Sequence, residues 1–485
     1  MKLKEFFGSR RAKNGGSAMA LVALVVALFY VVNLILLGLA SHFSWYFYTT
    51  EQYEITVSGA ADDLLNGIRT PQGKVKILFC DVEENIKNHQ QLDFVYKTAT
   101  GLAERYPDLL ELEFVNMWLE PARLAPYRTA EDGSENTLSS STVIVDYNGE
   151  FVLNSPSAFY LLDEEDYVTA YNGEEVFVGT ILWVTANEHP VAYFTANHGE
   201  EIPSALYRRL VMAGYRVERL DLASVTDVPQ DAGMVVISAP LYDFARAAEG
   251  SNYRAELDKL ADYLEDDGKL YVSLHPDYTE KLPHLTDFLA GYGIATQAGV
   301  LIDREAALPS SGGYSLIGRF PETGSGAALG ASPLLAERRT VLSYAAPLSI
   351  GESTLATAEA LLYAPNSASL LYGGQETATD GATVLALAKM QEGEGVLLVS
   401  GTPYLTDAAL MNGEGYGNRE LVNALLSLMG AERVPMGIPC VMVDRSAIED
   451  LTLGEVDAYA TVSVILLPVA IVVGGLIYCR RRKNR

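Results

Sequence analysis

Residues 234–239 read MVVISA, and this stretch decides the fold. It is apolar apart from Ser238, without the alternation of polar and apolar residues that marks a strand with one face in water. Such a run is typical of a strand in a parallel sheet whose two faces are both covered by helices. The stretch therefore predicts a buried parallel strand with further strands and helices on either side of it.

Strands and helices do alternate on both sides of this stretch. The other predicted strands are 191–196, 216–222, 269–275, 295–302, 381–389 and 396–400. The predicted helices are 204–214, 253–264, 285–292 and 420–428. This alternation predicts a doubly wound parallel sheet, of the flavodoxin or glutamine-amidotransferase kind, over residues 190–435. A segment from about 305 to 368 is rich in Gly, Ser, Ala and Pro and is interpreted as an insertion.

A second α/β unit is predicted before this sheet, over residues 73–189. Its order is a strand at 74–80, a helix at 92–106, a strand at 109–117, a hairpin and a helix at 174–186. The hairpin is predicted at Asn148-Gly149, a dipeptide that type I′ turns prefer. The order resembles a thioredoxin-like arrangement. Because the sequence has no C-x-x-C, thiol–disulfide exchange is excluded.

Two long uncharged stretches flank the α/β units. Residues 18–40 read AMALVALVVALFYVVNLILLGLA, and residues 459–479 read YATVSVILLPVAIVVGGLIYC. About 20 apolar residues in a helix cross the hydrocarbon core of a bilayer. Each stretch is therefore predicted to be a transmembrane helix. A cleaved signal peptide is the alternative for the first, and a buried core helix is the alternative for the second.

The basic residues lie at the outer ends of these stretches, in the tails 1–17 and 480–485. The positive-inside rule then predicts a two-pass cell-membrane protein with both termini in the cytoplasm. The α/β units would be extracytoplasmic, joined to the two helices by a juxtamembrane segment at 41–72 and a linker at 436–458.

The composition is that of a folded, acidic protein. Hydrophobic residues make up 49% of the chain, and its formal net charge is −27. Such a charge repels nucleic acid, so no nucleic-acid partner is expected. Of the three cysteines, Cys80 and Cys440 are interpreted as small buried apolar residues, although a bridge between them stays open.

Polar residues follow three of the predicted parallel strands, and they form the candidate ligand-binding site. These residues are Asn197, His198, Gly199 and Glu200 after the first strand, Asp243 after the third, and His275 and Asp277 after the fourth. In a doubly wound sheet, ligands bind at the carboxyl ends of the strands, where the strand order reverses. In the flavodoxin-like order the first and third strands are neighbours, which would let these side chains converge.

The loop at 197–200 admits three interpretations. In the first, His198 and Glu200 bind a ligand or a cation in a polar pocket. In the second, the loop is structural: Gly199 supplies a turn with positive φ, and Glu200 begins the next helix, where its charge suits the helix dipole. The third interpretation is catalysis.

The sequence lacks the residue sets that most enzyme classes need. There is no G-x-S-x-G elbow, and Ser238 in VVISAP, in a sheet similar to that of the glutamine amidotransferases, which need a nucleophilic Cys after a strand, lacks the Gly neighbours of a nucleophile. The six histidines are scattered without the spacing of a zinc site, and the glycine-rich runs lack the strand–turn–helix context of a phosphate loop. We therefore expect no catalytic residues, no metal and no cofactor.

Several segments, taken in order, resemble a known family. They are Glu120-Pro121, FTANHGE at 194–200, ISAPLYDF at 237–244, YLEDDGKLYV at 263–272 and GEGVLLVSGTPYLTD at 393–407. With the two flanking stretches they resemble the auxiliary, substrate-binding subunit of ABC-2-type transporters, related to the gliding-motility protein GldG. Two features depart from the family pattern: Ala196-Asn197 stands in place of the usual Gly before His198, and segment 124–140 is divergent.

The resemblance implies a non-enzymatic extracytoplasmic subunit that binds an unidentified substrate or scaffolds a permease. The cytoplasmic ATPase must be a separate chain, because this one has no G-x-x-x-x-G-K-[ST]. One alternative is a cell-surface ligand-binding or sensor protein that is independent of transport. The other is a surface hydrolase that uses His198, Glu200 and Asp243.

Overall fold

The structure is a computed structural model that describes most of the chain after residue 56. The described residues are 57–89, 91–130, 133–162, 168–245, 254–305, 307–308, 311–412, 415–442 and 461–466. The chain divides into two compact units, Met1–Glu54 and Ile55–Arg485, and all described residues belong to the second.

The first α/β region is built on a four-stranded mixed sheet. Its strands are β1 (Val75–Phe79), β2 (Leu110–Phe114), β3 (Val143–Tyr147) and β4 (Glu150–Asn154). Its helices are α1 (Gly59–Leu65), α2 (Glu83–Lys87), α3 (Asp93–Arg105) and α4 (Gly173–Val184), with 3₁₀ turns at Pro121–Arg128 and Pro156–Phe159. The sheet order is β2-β1-β3-β4, in which β1 runs parallel to β2 and antiparallel to β3.

Local sequence explains the elements of this region. The hairpin between β3 and β4 turns at Asn148-Gly149, where φ is 56° and 93°, as a type I′ turn requires. Helix α4 is buried along nearly its whole length, because it packs on β3 on one side and on a helix of the second region on the other. A small sheet of β5 (Tyr160–Leu162), β6 (Val168–Tyr171) and β21 (Val441–Met442) completes the region.

The second α/β region is built on a nine-stranded sheet with a parallel core. The parallel strands are β7 (Val191–Thr195), β8 (Arg216–Leu220), β9 (Ala232–Ser238), β10 (Lys269–Ser273) and β20 (Val396–Ser400). Their order in space is β8-β7-β9-β10-β20. Helices α5 (Ser204–Met212), α6 (Glu256–Glu265) and α7 (Pro283–Gly291) lie between successive strands along the chain. Since β7 and β8 are exchanged relative to chain order, the strand order reverses between β7 and β9.

Four antiparallel strands extend this sheet beyond β20. They are β11 (Ile294–Thr296), β15 (Leu348–Ile350), β16 (Ala356–Tyr363) and β19 (Thr383–Met390). Strands β15 and β16 lie within the segment interpreted as an insertion, and yet they belong to the main sheet. The short elements around them are β12 (Val300–Ile302), β13 (Ser315–Ile317), α8 (Gly324–Gly330), α9 (Pro333–Ala336), β14 (Val341–Ser343), β17 (Ser369–Tyr372) and β18 (Gln375–Ala378).

The chain closes with helices that follow β20. These are a 3₁₀ turn at Pro403–Thr406, α10 (Ala408–Asn412) and α11 (Asn418–Leu428); a further 3₁₀ turn lies at Thr279–Lys281. Strand β9 shows why the MVVISA stretch has no alternation of polar and apolar residues. Met234 and Val236 pack into the core on one face of the sheet, whereas Val235 and Ile237 pack into the core on the other.

The structure corrects the predicted membrane architecture. Among the residues described, no helix is long and apolar enough to cross a membrane. The stretch 18–40 lies outside the described residues, and of 459–479 only Thr461–Leu466 is described, as a π-helix. The described part of the chain is mixed α/β, with no membrane-spanning helix among its elements. The predicted two-pass cell-membrane location, with cytoplasmic termini and an extracytoplasmic domain, is corrected on the same finding.

Candidate functional site

The predicted site residues lie along the carboxyl edge of the parallel strands, but in three separate environments. His198 and Glu200 are buried beyond β7, and Asp243 lies at the start of α7. His275 and Asp277 are more exposed, beyond β10. The expected convergence on one pocket is therefore not found.

The first environment is a buried Glu–His–Glu triad, formed by Glu200, His198 and Glu256. His198 Nδ1 lies 3.0 Å from Glu200 Oε1, and His198 Nε2 lies 3.1 Å from Glu256 Oε2. All three side chains are at most 7% exposed. When both carboxyls are ionised they only accept hydrogen bonds, so both imidazole nitrogens then donate and the ring is an imidazolium.

The two carboxylates of the triad also bind their surroundings. Glu200 Oε1 accepts a hydrogen bond from Thr195 Oγ1 (2.8 Å), and Glu200 Oε2 accepts one from the backbone N–H of His198 (2.7 Å). Glu256 Oε2 accepts one from the backbone N–H of Ala245 (2.7 Å). The hydrogen bonds of the triad thus connect β7, the loop after β9 and the start of α6.

The triad is charged at neutral pH. Burial alone would lower the pKa of His198, but hydrogen bonds to Glu200 and Glu256 outweigh it and raise the pKa to about 9. Burial would raise the pKa of both carboxyls, but the hydrogen bonds from His198 hold each pKa below its ordinary value. The Phe244 ring stacks on the imidazolium at 4.0 Å between centroids. A general base needs a free imidazole nitrogen, which His198 lacks.

The loop that carries His198 is shaped by its backbone. Asn197 and Gly199 have φ of 79° and 85°, and a Cβ on Gly199 would lie 2.9 Å from the Leu241 side chain. The carbonyl of His198 accepts hydrogen bonds from the backbone N–H groups of Leu241 (2.8 Å) and Tyr242 (2.9 Å). These contacts favour the structural interpretation of the loop, with Gly199 as the residue that permits it.

The second environment is a helix cap. Asp243 Oδ2 accepts a hydrogen bond from the backbone N–H of His284 (2.8 Å), and Oδ1 accepts one from that of Leu285 (3.1 Å). Both N–H groups lie in the first turn of α7, which has no partner for them within the helix. Asp243 therefore caps α7 from a neighbouring loop.

Replacement of Asp243 by alanine is expected to lower the free energy of unfolding by about 1 kcal/mol, the usual effect of losing a helix cap. Urea unfolding followed by circular dichroism measures this. The Asp243→Asn variant keeps one acceptor oxygen and is expected to lose less. Equal stability of Asp243→Ala and the wild type would contradict the capping role.

The third environment is a partly exposed cluster of aromatic rings, which we call the tyrosine cluster. Its members are His275, Tyr278, Tyr314, Tyr344 and Tyr404. His275 Nε2 lies 3.3 Å from the Tyr404 hydroxyl, and the Tyr344 hydroxyl donates to Asp277 Oδ1 at 3.0 Å. Burial lowers the pKa of His275. The cluster covers the carboxyl ends of the neighbouring strands β10 and β20.

Two residues near this edge, in addition to Asn197, have a left-handed backbone. Tyr344 and Ala239 both have φ of 47°, which is rare for a residue with a side chain and stores strain. Ala239 directly follows β9, at the strand end where a nucleophile elbow would carry Ser or Cys. Its side chain is only a methyl group. The Tyr344 ring, carried by this strained backbone, lies in the tyrosine cluster.

Sequence reasoning missed Glu256 and the tyrosines. Glu256 had a usable signal, because it precedes Leu260 and Leu264 at helical spacing and so lies on the buried face of α6. A carboxylate on an apolar helix face needs a buried partner. The tyrosines come from distant parts of the chain and carry no shared local pattern. In the part of the chain that the structure describes, no group of three or more His, Cys, Asp or Glu is placed to hold a metal.

No protein-family model and no curated protein matches the chain. Among solved structures, the mmIFT52 N-terminal domain aligns at TM-score 0.39 and 16% identity, over 49% of this chain and 96% of that one. PurLQS from Thermotoga maritima aligns at TM-score 0.26 and 10% identity, over 49% and 100%. A putative GMP synthase protein from Thermoplasma acidophilum aligns at TM-score 0.24 and 8% identity, over 50% and 95%. Similarities this weak carry no argument about the activity or partners of this chain.

Proposed function

We propose that this chain is a non-enzymatic subunit that binds a substrate or scaffolds partner proteins beside a separate ABC-2-type permease and its ATPase. The observation that carries the proposal concerns the residues at the carboxyl edge of the parallel strands. There, the buried charged residues of the triad are bonded to one another, and aromatic side chains, among them Tyr242, Tyr314 and Tyr404, are exposed beside Asp277. Such an edge suits the binding of a partner better than the turnover of a substrate.

The hydrolase alternative draws little support from this geometry. It would need His198, Glu200 and Asp243 to act together on one substrate. Asp243 instead bonds to the backbone of α7, and both ring nitrogens of His198 are bonded to carboxylates. Ala239 offers no nucleophile at the strand end between them.

The tyrosine cluster supports a role in binding a protein. Tyrosine is enriched at protein interfaces, because it buries a large rigid area and keeps a hydroxyl for hydrogen bonding. Tyr404 and Tyr314 are 38% and 37% exposed, and Tyr242, after β9, is 67% exposed. The class of partner rests on the sequence segments that resemble the GldG-related protein, two of which, 237–244 and 393–407, end at this edge.

A pulldown from mild detergent tests the proposal. The tagged wild-type chain is expected to recover a permease and an ATPase, both identified by mass spectrometry. The Tyr344→Ser/Tyr404→Ser variant is expected to lose at least tenfold of both. Trp118→Ser, which removes an aromatic side chain that is 78% exposed in the first region, serves as the matched control and should recover both.

Two outcomes would count against the proposal. Repeated recovery of the wild-type chain alone would refute the proposal that a permease and an ATPase are its partners. Recovery of both partners by the double variant at the wild-type level would show that the tyrosine cluster does not bind them. Thermal unfolding of each variant shows whether a loss of partners reflects a loss of fold.

A further inference from the structure

A large cleft lies away from the carboxyl edge, between the two α/β regions. Strand β4 and helix α4 of the first region line one side, and α5 and β8 of the second line the other. Its volume is about 1320 Å³. Small-molecule sites usually enclose several hundred Å³, so the cleft has room for a sizeable organic molecule. We call it the arginine cleft, after the four arginines among its lining residues, Arg208, Arg209, Arg216 and Arg419.

Much of the lining of the arginine cleft is apolar. The apolar lining residues include Phe151, Leu153, Val176, Trp183, Val211 and Met212. They come from both regions, so an apolar ligand would contact β4, α4 and α5 together. Burial of apolar ligand surface stabilises a complex by roughly 25 cal/mol per Å². The lining thus favours a ligand with an apolar body.

Arg208 is the unusual cation of the cleft. Its side chain is half-buried, and no described residue forms a hydrogen bond or an ion pair with it. Burial, and then repulsion from Arg209, lowers the pKa of Arg208. Arg209 itself is engaged by Glu175 through both terminal nitrogens. Arg208 therefore remains a partly dehydrated cation with free donors, which is costly unless an anion binds there.

Two further donors in the same cleft lack acceptors. Arg419 Nη1 and Asn154 Nδ2 are buried, in side chains of residues that are 7% and 5% exposed, and neither has a hydrogen-bond partner among the described residues. Buried polar groups are nearly always paired, so an unpaired donor calls for an explanation. Both residues line the arginine cleft, but the two nitrogen atoms themselves are closed to solvent.

The acids of the lining do not remove this preference. Glu218 is exposed, and Glu150 is half-buried with His189 4.0 Å away. Glu175 and Glu420 attract Arg419 and balance its charge, so Arg419 adds little net charge to the lining. Arg209 and Arg419 are balanced by Glu175 and Glu420, which leaves Arg208 and Arg216 against the two glutamates of the lining. The preference for an anionic ligand therefore rests on Arg208, the half-buried arginine that has no partner among the described residues.

We propose that the arginine cleft binds an anionic amphiphile, a molecule with a carboxylate or phosphate head group and an apolar body of acyl-chain size. Arg208 is the principal contact of the head group. The apolar residues of β4, α4 and α5 contact the body. This inference does not depend on the transporter role or on the tyrosine cluster.

Calorimetric titration of the full chain tests the inference with four probes. Dodecanoate and dodecyl phosphate distinguish the two head groups, whereas dodecanol and inorganic phosphate each lack one half of the ligand. One or both of the anionic amphiphiles should bind at one saturable site, at least tenfold more tightly than dodecanol and inorganic phosphate. Trp183 fluorescence should change on binding, and this change should be absent in Trp183→Phe.

Arg208→Gln is the decisive variant. It should weaken the binding of the preferred amphiphile by at least tenfold, and without ligand its melting temperature should equal or exceed that of the wild type, because an unpaired cation has been removed. The matched control is Arg254→Gln, which removes a surface arginine that pairs with Asp227 and Asp262. The control should bind as the wild type does. The inference is overturned by the absence of saturable binding, by equal binding of inorganic phosphate or dodecanol, or by unchanged binding in Arg208→Gln.

Discussion

Replacement of Glu175 by alanine is expected to lower the free energy of unfolding by about 3–5 kcal/mol, the range found when one member of a buried ion pair is removed. Glu175 is 1% exposed and Arg209 is 3% exposed, so the pair is fully removed from water. Arg209 donates to both carboxylate oxygens of Glu175, and Asn172 Nδ2 donates to Oε2 at 2.7 Å. Without Glu175, the guanidinium of Arg209 stays buried with no carboxylate to balance it.

The position of this pair makes the effect large for the whole fold. Glu175 lies in α4 of the first region, and Arg209 lies in α5 of the second. Burial would raise the pKa of Glu175, but attraction from Arg209 and Arg419 holds that pKa below its ordinary value. The pair is therefore a buried contact between the two regions. Its loss should also reduce the cooperativity of unfolding.

Urea unfolding, followed by circular dichroism and by Trp183 fluorescence, measures the change. The control is Glu83→Ala, which breaks the exposed pair of Glu83 with Lys87 and should cost less than about 0.5 kcal/mol. Glu175→Leu combined with Arg209→Met should recover much of the loss, since an apolar pair avoids the cost of dehydration. A loss below about 1 kcal/mol in Glu175→Ala would refute the role of the pair.

Local sequence patterns predicted best those strands and turns whose conformation is determined by the residues within them. The MVVISA stretch became β9 because its apolar side chains enter a core on one face of the sheet or the other. Asn148-Gly149 became a hairpin turn because the two residues tolerate positive φ. Both causes lie within a few residues of the feature they produce, so a single sequence displays them.

The contacts that define the site depend on distant residues, and local patterns do not show these. Glu256 lies 58 residues after His198, and Arg209 lies 34 residues after Glu175. Asp243 was expected to face His198, because both follow adjacent strands. Asp243 instead accepts hydrogen bonds from backbone N–H groups in the first turn of α7, which have no partner within the helix. Strands β15 and β16 joined the main sheet because β19 offered them an open edge, which composition alone does not reveal.

The wild-type chain is expected to lose stability as the pH rises from 6.5 to 9, and His198→Gln is expected to lose much less over this range. The folded-state pKa of His198 is about 9, above the ordinary value of 6.5, so the folded state binds the proton more tightly. The contribution of the imidazolium is fully present below pH 6.5 and is lost as the pH rises through 9. Its size is on the order of 3 kcal/mol, since one pKa unit corresponds to about 1.4 kcal/mol.

On the acid side the triad behaves in the opposite way. The pKa values of Glu200 and Glu256 are lowered on folding, so their contribution is present above the ordinary pKa of a glutamate. It is lost as the pH falls through the folded-state values. The triad therefore stabilises the fold most between about pH 4.5 and 6.5, where both carboxylates and the imidazolium are charged.

The measurement is urea unfolding at several pH values for the wild type, His198→Gln and the control His89→Gln, which removes a histidine outside the triad. The control should follow the wild-type pH profile. NMR of the His198 imidazole gives a second reading that does not depend on unfolding, and the ring should remain protonated at about pH 7.5, well below its folded-state pKa. A neutral ring at that pH, or parallel pH profiles for the wild type and His198→Gln, would show that one glutamate of the triad carries the proton instead. His198 would then accept a hydrogen bond from that glutamic acid at one ring nitrogen.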